Sequence, residues 1–285
     1  MKLILLTTVA ILILATGVSL AQPAGTPNAE KLGWRLACQA YSFNRFTFFE
    51  AVDKTASTGC KYIEAYPGQK LSPDKNDVLF DHNAPQDVLD AVKAKLASAG
   101  VTLVNYGVVD LPANEAEARK VFDFAQKMGI ETIVSEPAAE ALDTVQKLVK
   151  EYGIRVAIHN HPKPSKYWDP ARVLAATQGR EGIGSCADTG HWMRSGVNPL
   201  DALQMLSGKI VSFHFKDLNE FNNKDAHDVV WGTGKADVKA LLAEMKKQGF
   251  KGVFSIEYEY NWDNSVPEIT QCVAAFDQFA AELQK

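Results

Sequence analysis

The sequence contains little cysteine, and its cysteines are scattered. The 285 residues include four, with no CxxC pair among them: Cys38, Cys60, Cys186 and Cys272. This spacing does not form a dense disulfide framework. Because the cysteines fall on predicted strands and a helix, we expect buried thiols.

The sequence also lacks an excess of positive charge. It has 30 Lys and Arg against 34 Asp and Glu, which gives a net charge of -4 with six neutral histidines. Such a balance argues against a surface that neutralises many phosphates, so we expect no nucleic-acid partner. A small molecule is the expected partner, and assembly into a homo-oligomer stays open.

Long hydrophobic runs are absent except at the N-terminus. Lys2 precedes an apolar run from Leu3 to Leu20, and small residues surround the end of that run at Ala21. We interpret residues 1–21 as a cleaved signal peptide and residues 22–32 as a flexible mature N-terminus. This predicts a periplasmic or secreted protein with no membrane attachment after cleavage. A retained anchor is the alternative, since the run is near the lower length limit for a span.

No glycine-rich phosphate turn follows the first predicted strand, which disfavours an open doubly wound sheet. From Trp34 onward, short β-branched or aromatic runs instead alternate with longer amphipathic stretches. The predicted strands are residues 34–43, 62–67, 102–109, 131–137, 155–162, 183–191, 210–217 and 252–260. Eight such units predict a single-domain α/β protein, a (β/α)8 TIM barrel over residues 33–285. An open sheet is the alternative.

Residue types that bind metals lie at the carboxyl ends of the last four predicted strands. Strand alternation places His214 and Lys216 on one face and Phe213 and Phe215 on the other, so the histidine should point into the barrel. Inside, one residue from each strand would converge: His159, Asp188, His214 and Glu257. This mixed set suits one divalent ion, Mn²⁺, Zn²⁺, Co²⁺ or Fe²⁺ rather than Mg²⁺. Singly, each residue has an ordinary alternative as a hydrogen-bonded core histidine or a helix cap.

Four motifs carry a family resemblance: Asp188-Thr-Gly-His191, His214-Phe-Lys-Asp217, Gly232-Thr-Gly234 and Glu257 in Ser-Ile-Glu. Together they resemble the xylose isomerase-like TIM barrels, the superfamily that includes D-tagatose 3-epimerase and endonuclease IV. The resemblance covers nearly all of the mature chain. It implies a metal held by Glu, Asp, His and Glu, with His159 standing here in place of the first glutamate.

The resemblance implies a sugar isomerase or epimerase that transfers a proton next to a carbonyl group. Because export argues against a phosphorylated substrate, we expect a free or glycosidic keto-sugar. In the epimerases both metal-bound glutamates shuttle the proton, so His159 raises the alternative of a 3-keto-glycoside lyase or 3-keto-glycal hydratase. A non-catalytic sugar-binding barrel is a second alternative. The segment from Asp225 to His227 echoes endonuclease IV, but the upstream histidines of a multinuclear site are missing.

Further residues receive expected roles at the same end of the barrel. Glu257 is the first candidate base, assisted by Glu136 or His161, and Lys216 would act near a developing oxyanion. The expected substrate contacts are Glu64, His191, His227 and Trp192. Ordinary alternatives are a helix cap for Glu136, a structural ion pair for Lys216, and orientation of a ligand histidine by Glu64.

Overall fold

Eight parallel strands close into a barrel in the computed structural model, which describes residues 25–285. The barrel strands are β1 (Trp34–Gln39), β2 (Tyr62–Ala65), β5 (Thr102–Tyr106), β6 (Thr132–Ser135), β7 (Arg155–His159), β8 (Ile183–Asp188), β9 (Ile210–Phe215) and β10 (Gly252–Ile256), and β3 (Gln69–Ser72) and β4 (Lys75–Phe80) form a separate hairpin. Around the barrel β1 pairs with both β2 and β10. The predicted (β/α)8 barrel is confirmed, while the signal peptide expected at residues 1–21 lies outside the described residues.

Helices surround the barrel and connect its strands. They are α1 (Pro27–Lys31), α2 (Phe48–Thr58), α3 (Gln86–Ala99), α4 (Glu115–Met128), α5 (Leu142–Tyr152), α6 (Pro170–Thr177), α7 (Thr189–Arg194), α8 (Pro199–Met205), α9 (Val238–Lys247) and α10 (Val266–Leu283). A capping box between Thr47 and Glu50 begins α2. The left-handed glycine Gly129 ends α4, where a residue with a Cβ would be strained.

The hairpin of β3 and β4 is absent from the sequence-based prediction. Its strands are short and polar, and most of β4 is exposed, so the residues lack the alternation of a half-buried strand. The two strands pair antiparallel from Gln69 opposite Phe80 to Ser72 opposite Lys75. The hairpin extends the connection between β2 and α3 above the barrel mouth.

Where the structure describes the segment 22–32 that we expected to be flexible, from residue 25 onward, the segment contains the helix α1. The helix α1 is attached to α10 through Asp277, which accepts hydrogen bonds from Asn28 N at 2.7 Å, Asn28 Nδ2 at 2.8 Å and Ala29 N at 3.1 Å. Residues 27–31 therefore belong to the folded body. No helix within residues 25–285 combines the length and apolar character that a membrane crossing requires.

Apolar packing occupies the outside of the sheet and the lower interior of the barrel. Phe213 and Phe215 lie in the large cluster between strands and helices, as alternation predicts. Two small clusters contain the remaining apolar strand residues: Ala37, Val104 and Val253, and Val134, Ala157 and Cys186. The four cysteines are buried free thiols, as predicted. Polar side chains from the same strands are left to converge at the carboxyl ends.

Candidate functional site

A cavity of about 570 Å³ opens at the carboxyl ends of the strands. Its walls include two tyrosines, two histidines and two glutamates: Tyr41, Tyr66, His161, His191, Glu257 and Glu259. This is the end of a parallel barrel where strand-following loops place reacting groups. The volume suits a small-molecule ligand.

Beneath the cavity, Glu64 fixes the orientation of His214. The imidazole Nε2 lies 2.7 Å from Glu64 Oε1. Gln39 Nε2 at 3.2 Å, Asn105 Nδ2 at 3.2 Å and Ser255 Oγ at 2.6 Å also donate to this carboxylate, so Glu64 acts as an acceptor. His214 therefore carries its proton on Nε2 when neutral, which leaves a lone pair on Nδ1.

Glu136 fixes His159 in the same way. Its Oε1 lies 3.1 Å from His159 Nδ1. Burial would raise the pKa of Glu136, but hydrogen bonds from His159 and His161 lower it below its usual range, so the carboxylate accepts. The proton of neutral His159 is thus on Nδ1. The Nε2 lone pair faces Asp188, with its Oδ2 at 3.5 Å.

Two buried carboxylates, Asp188 and Glu257, face these histidines and share a lysine. Lys216 Nζ lies 2.8 Å from Asp188 Oδ2, 2.7 Å from Glu257 Oε2 and 3.0 Å from Glu259 Oε2. Burial disfavours the ionised form of both carboxyl groups. The charge of Lys216 nevertheless holds the pKa of Asp188 well below its usual range, and the charges of His214 and Lys216 do the same for Glu257 in the metal-free protein.

The donor set of His159, Asp188, His214 and Glu257 fits a divalent metal. His159 Nε2 and His214 Nδ1 are buried and have no hydrogen-bond partner among residues 25–285. His214 Nδ1 is also 3.1 Å from Glu257 Oε2. Unpaired imidazole nitrogens beside carboxylates, each imidazole oriented by a further carboxylate, are the arrangement that metal sites use. These are the four residues that the sequence nominates.

The ligand atoms that lie closest together come from a group in which His191 stands in place of His214. Ligand atoms of His159, Asp188, His191 and Glu257 lie within 4.8 Å of one another. However, Arg194 Nη1 lies 3.0 Å from His191 Nδ1, and a guanidinium can only donate. The proton of neutral His191 is therefore on Nε2, which lies 3.6 Å from Asp188 Oδ2 and in this tautomer has no lone pair for a metal.

Three expected roles need correction because of where the side chains lie, and for Glu64 and Lys216 the stated alternatives, orientation of a ligand histidine and a structural ion pair, agree with the structure. Trp192 is completely buried in the hydrophobic core, so its expected contact with substrate is wrong. Glu64 is also fully buried and holds His214, which places it under the site rather than on the cavity wall. Lys216 is fully buried beneath Glu257 and Glu259, so it acts on them instead of on a substrate oxyanion.

Of the remaining predicted residues, His161 and His191 line the cavity and His227 does not. His161 is half-exposed, and both its backbone N at 2.9 Å and its Nδ1 at 2.6 Å contact Glu136 Oε1. His191 lines the cavity as expected. His227 stacks on Tyr260 with ring centroids 4.2 Å apart, and neither residue belongs to the described cavity wall.

The backbone of the Gly232-Thr-Gly234 motif binds the carboxylate of Asp217. The carboxylate of Asp217 accepts hydrogen bonds from the backbone of Gly232 and Gly234, both at 2.9 Å, and of Ala236 at 3.0 Å. A Cβ at Gly234 would lie 2.2 Å from Asp217 Oδ1. The aspartate of the His214-Phe-Lys-Asp217 motif therefore shapes the loop between β9 and α9.

Sequence reasoning did not assign roles to several site residues. Arg194 holds His191 and lies 2.6 Å from Glu259 Oε2. The buried Asp228 accepts from Glu259 N at 3.2 Å, and Gln39 lines the cavity. Glu259 shares strand parity with Glu257, which is a signal that could have nominated it. Arg194 and Asp228 lie in loop or helix segments, where no periodicity indicates a partner.

The sequence matches a protein-family model. That family model, described as "Xylose isomerase-like TIM barrel", matches residues 52–275, most of the chain. A solved structure of an uncharacterised protein from Parabacteroides distasonis is 34% identical, with a TM-score of 0.70, and the match covers 86% of this chain and 98% of that one.

Characterised relatives are more distant. The inosose isomerase of Bacillus velezensis is 25% identical over 164 residues, which cover 50% of this chain and 58% of the relative. The chain thus spans little more than half the length of that enzyme. The inosose dehydratase of Lacticaseibacillus casei is 22% identical over 273 residues, which cover 80% of this chain and 87% of the relative.

Proposed function

Because the chain belongs to the xylose isomerase-like TIM barrel family, we propose that it is a metal-dependent enzyme acting on a non-phosphorylated keto-sugar. The proposed reaction is isomerisation or epimerisation by proton transfer at the carbon next to a carbonyl group. The observation that carries the proposal is the position of Glu257. Its carboxylate lines the cavity and lies beside the free nitrogen of His214.

His159, Asp188, His214 and Glu257 would hold the metal. Three of them are completely or almost completely buried, and Glu257 is 7% exposed. When bound, a divalent ion supplies Lewis-acid polarisation of substrate oxygens and charge stabilisation near the carbonyl group. The two imidazoles favour a transition metal over Mg²⁺.

Glu257 is the proposed general base. Lys216 lowers its pKa despite burial, so the carboxylate is ionised and able to accept a proton from carbon at neutral pH. Lys216 also restrains one carboxylate oxygen at 2.7 Å, which fixes the direction of the side chain. We assign Lys216 as a positioning residue.

His161 is the proposed partner for returning or relaying the proton. It lines the same cavity as Glu257, and its Nδ1 contact with Glu136 leaves Nε2 as the free nitrogen. His191, oriented by Arg194, would donate from Nε2 to a substrate oxygen. Glu257, His161 and His191 thus present acid and base groups to one cavity, an arrangement that suits proton transfer at a sugar carbon.

The substrate is proposed to be uncharged. The described wall of the cavity contains two glutamates and no lysine or arginine that would bind a phosphate group. An exported location agrees with this, because the apolar run from Leu3 to Leu20 has the form of a signal peptide. Mass spectrometry of protein secreted or recovered from a periplasm should find Gln22 as the first residue.

Dehydration or hydration of a keto-sugar is the second candidate reaction. The inosose dehydratase match spans 80% of this chain, and His159 occupies the position of one family glutamate. The same base could remove a proton next to the carbonyl while a neighbouring C–O bond breaks. Product mass separates the alternatives, since isomerisation preserves mass whereas dehydration removes one water.

The first experiment is metal analysis of purified protein and three alanine variants. We expect about one transition metal per wild-type chain, loss of the metal in His159→Ala and His214→Ala, and retention in the matched control His191→Ala. Wild type should then convert a panel of inososes and keto-hexoses, and Glu257→Gln should not. Absence of metal after reconstitution would contradict the metal-dependent proposal, while binding without turnover would favour a non-catalytic sugar-binding barrel.

A further inference from the structure

A second cavity adjoins the proposed site on the other side of Tyr66. Its volume is about 520 Å³, and it lies between the loop that contains Asn44 and Arg45 and the hairpin of β3 and β4. Tyr66 lines both cavities and is therefore their shared wall. The proposed mechanism uses only the first cavity.

The walls of the second cavity are held in place by contacts of their own. Gln69 is 2% exposed and donates from Nε2 to the carbonyl oxygens of Phe43 at 3.4 Å and Phe46 at 3.0 Å, which fastens the hairpin to the loop. Arg45 Nη1 lies 2.6 Å from Asp263 Oδ2. These contacts join three separate segments, so the cavity does not depend on a ligand to form.

Tyr66, the wall that the two cavities share, packs against Tyr41 of the first cavity, and Tyr41 packs in turn against Trp262. The ring centroid of Tyr41 lies 5.2 Å from that of Tyr66 and 5.9 Å from that of Trp262, both in edge-to-face geometry. Tyr41 is 39% exposed although it is a large aromatic residue. Of these rings Tyr66 also lines the second cavity, and an aromatic ring there offers a flat apolar face for the C–H surface of a sugar.

The chemistry of the second cavity favours an uncharged, hydroxyl-rich ligand. Asn44 and Asn76 provide amides that both donate and accept, and Lys70 provides a further donor. The other charged residues have partners: Arg45 pairs with Asp263, and Glu50 accepts from Thr47 N at 2.9 Å and Oγ1 at 2.7 Å. The described wall of the second cavity therefore offers a strongly anionic ligand a single unpaired cation, Lys70.

We propose that the second cavity binds the second sugar unit of a glycoside whose first unit occupies the site cavity. The identity of the reacting unit rests on the proposed function, whereas the second binding site rests on the cavity itself. A cavity of about 570 Å³ is already large enough for a single sugar ring. A second, polar cavity of similar size across Tyr66 is therefore matched to a disaccharide or a comparable glycoside.

Calorimetric titration with unreactive sugars tests the inference directly. Glucose, methyl β-glucoside, maltose, cellobiose and trehalose are titrated into the wild-type protein, Asn76→Ala and Lys70→Ala. At least one disaccharide should bind ten-fold or more tightly than glucose, and both variants should reduce that preference at least three-fold. Lys239→Ala is the matched control, because Lys239 pairs with Glu282 on the outer surface.

Equal affinity for glucose and every disaccharide, or no binding of any of them, would overturn the second binding site. A disaccharide preference that survives in both variants would overturn it as well.

Failure of the second binding site and failure of the proposed function give different results. A preference that depends on Asn76, found in a protein that turns over no sugar, supports the binding site and refutes the proposed function. Equal kcat/KM for a free keto-sugar and its glycoside supports the proposed function and refutes the second binding site.

Discussion

At the scale of single residues, Glu64 acts on the site through His214. Four donor groups converge on its two oxygens. Glu64→Gln introduces an NH₂ group that faces donors, so His214 loses its fixed orientation. We expect metal affinity to fall about ten- to hundred-fold. Competition with a chromophoric chelator measures it, and Glu117→Gln on the surface should change nothing. Unaltered affinity in Glu64→Gln would show that His214 needs no orienting partner.

Lys216 compensates the negative charge of three carboxylates from inside the protein. Burial would lower the pKa of Lys216, but Asp188, Glu257 and Glu259 raise it well above its usual value. Lys216→Met leaves these carboxylates without their cation, and we expect a loss of about 3–5 kcal/mol in the free energy of unfolding with a chelator present. Denaturant unfolding checks this value.

Lys120→Met provides the matched control for the lysine prediction. Lys120 pairs with Glu117 at 2.6 Å, but both side chains are more than half exposed. An exposed pair contributes about 0–1 kcal/mol, so this variant should be close to wild type. Similar losses in the two variants would mean that burial of the Lys216 ammonium is not the source of the effect.

Asp228 gives stability a specific dependence on pH. Burial raises the pKa of Asp228 to about 8, against the opposing positive charge of Lys216. Between about pH 4 and pH 8 the folded state holds a proton that the unfolded state releases. The contribution of this group to stability is therefore largest at the acid end and is lost as the pH rises toward 8.

Asp228→Asn should remove this dependence. As the pH rises across that window, the unfolding free energy of the wild type should fall relative to that of the variant. The expected change is up to about 1.4 kcal/mol per pH unit. Denaturant unfolding at pH 5, 6, 7 and 8 provides the comparison. Parallel pH profiles would show that Asp228 is ionised in the folded protein throughout the range.

At the scale of elements, the loop between β9 and α9 is organised around Asp217. Its carboxylate accepts three backbone N–H groups, and Asp217→Asn would place an amide donor against them. We expect a loss of about 1–3 kcal/mol in unfolding free energy with unchanged metal stoichiometry. The exposed Asp225→Asn should be neutral. Loss of metal in Asp217→Asn without loss of stability would assign Asp217 to the metal site instead.

The strands and helices of the barrel could be predicted because their periodicity repeats eight times. Glycines with positive φ follow five of the helices, which is where a left-handed residue ends a helix: Gly59, Gly100, Gly129, Gly153 and Gly249. The hairpin of β3 and β4 could not be predicted, because an exposed polar strand carries no burial pattern. Two predicted strands extended beyond their observed ends. The residues after Gln39 and Asp188 form helical turns at the site, and polar residues there give no burial pattern that marks the end of the strand.

The candidate site was predictable where strand parity decides the direction of a side chain. His159, Asp188, His214 and Glu257 come from four neighbouring strands, and Asp188 lies directly opposite His214 in the sheet register. Trp192 was misassigned because the sequence does not reveal which face of the short helix α7 packs inward. The role of Arg194 depends on a contact with His191 and Glu259 in three dimensions, which no local pattern encodes.

At the scale of the whole molecule, a bound metal would join four strands of the barrel. A ligand that binds only the folded state stabilises it by about 2.7 kcal/mol at a hundred-fold excess over its Kd. We therefore expect chelator treatment to lower the Tm and an added transition metal to restore it in a concentration-dependent manner. His159→Ala should have a Tm that does not respond to either treatment, whereas a metal-independent wild-type Tm would contradict the site.

The pairing of β1 with β10 has a consequence for how the protein is made. The barrel joins its first strand to its last, so β1 keeps an unpaired edge on the ribosome until residues 252–256 have been synthesised. Glu257 follows directly after that strand. Neither closure nor a complete site can exist in a nascent chain, and a C-terminally truncated product would expose an open sheet edge prone to aggregation.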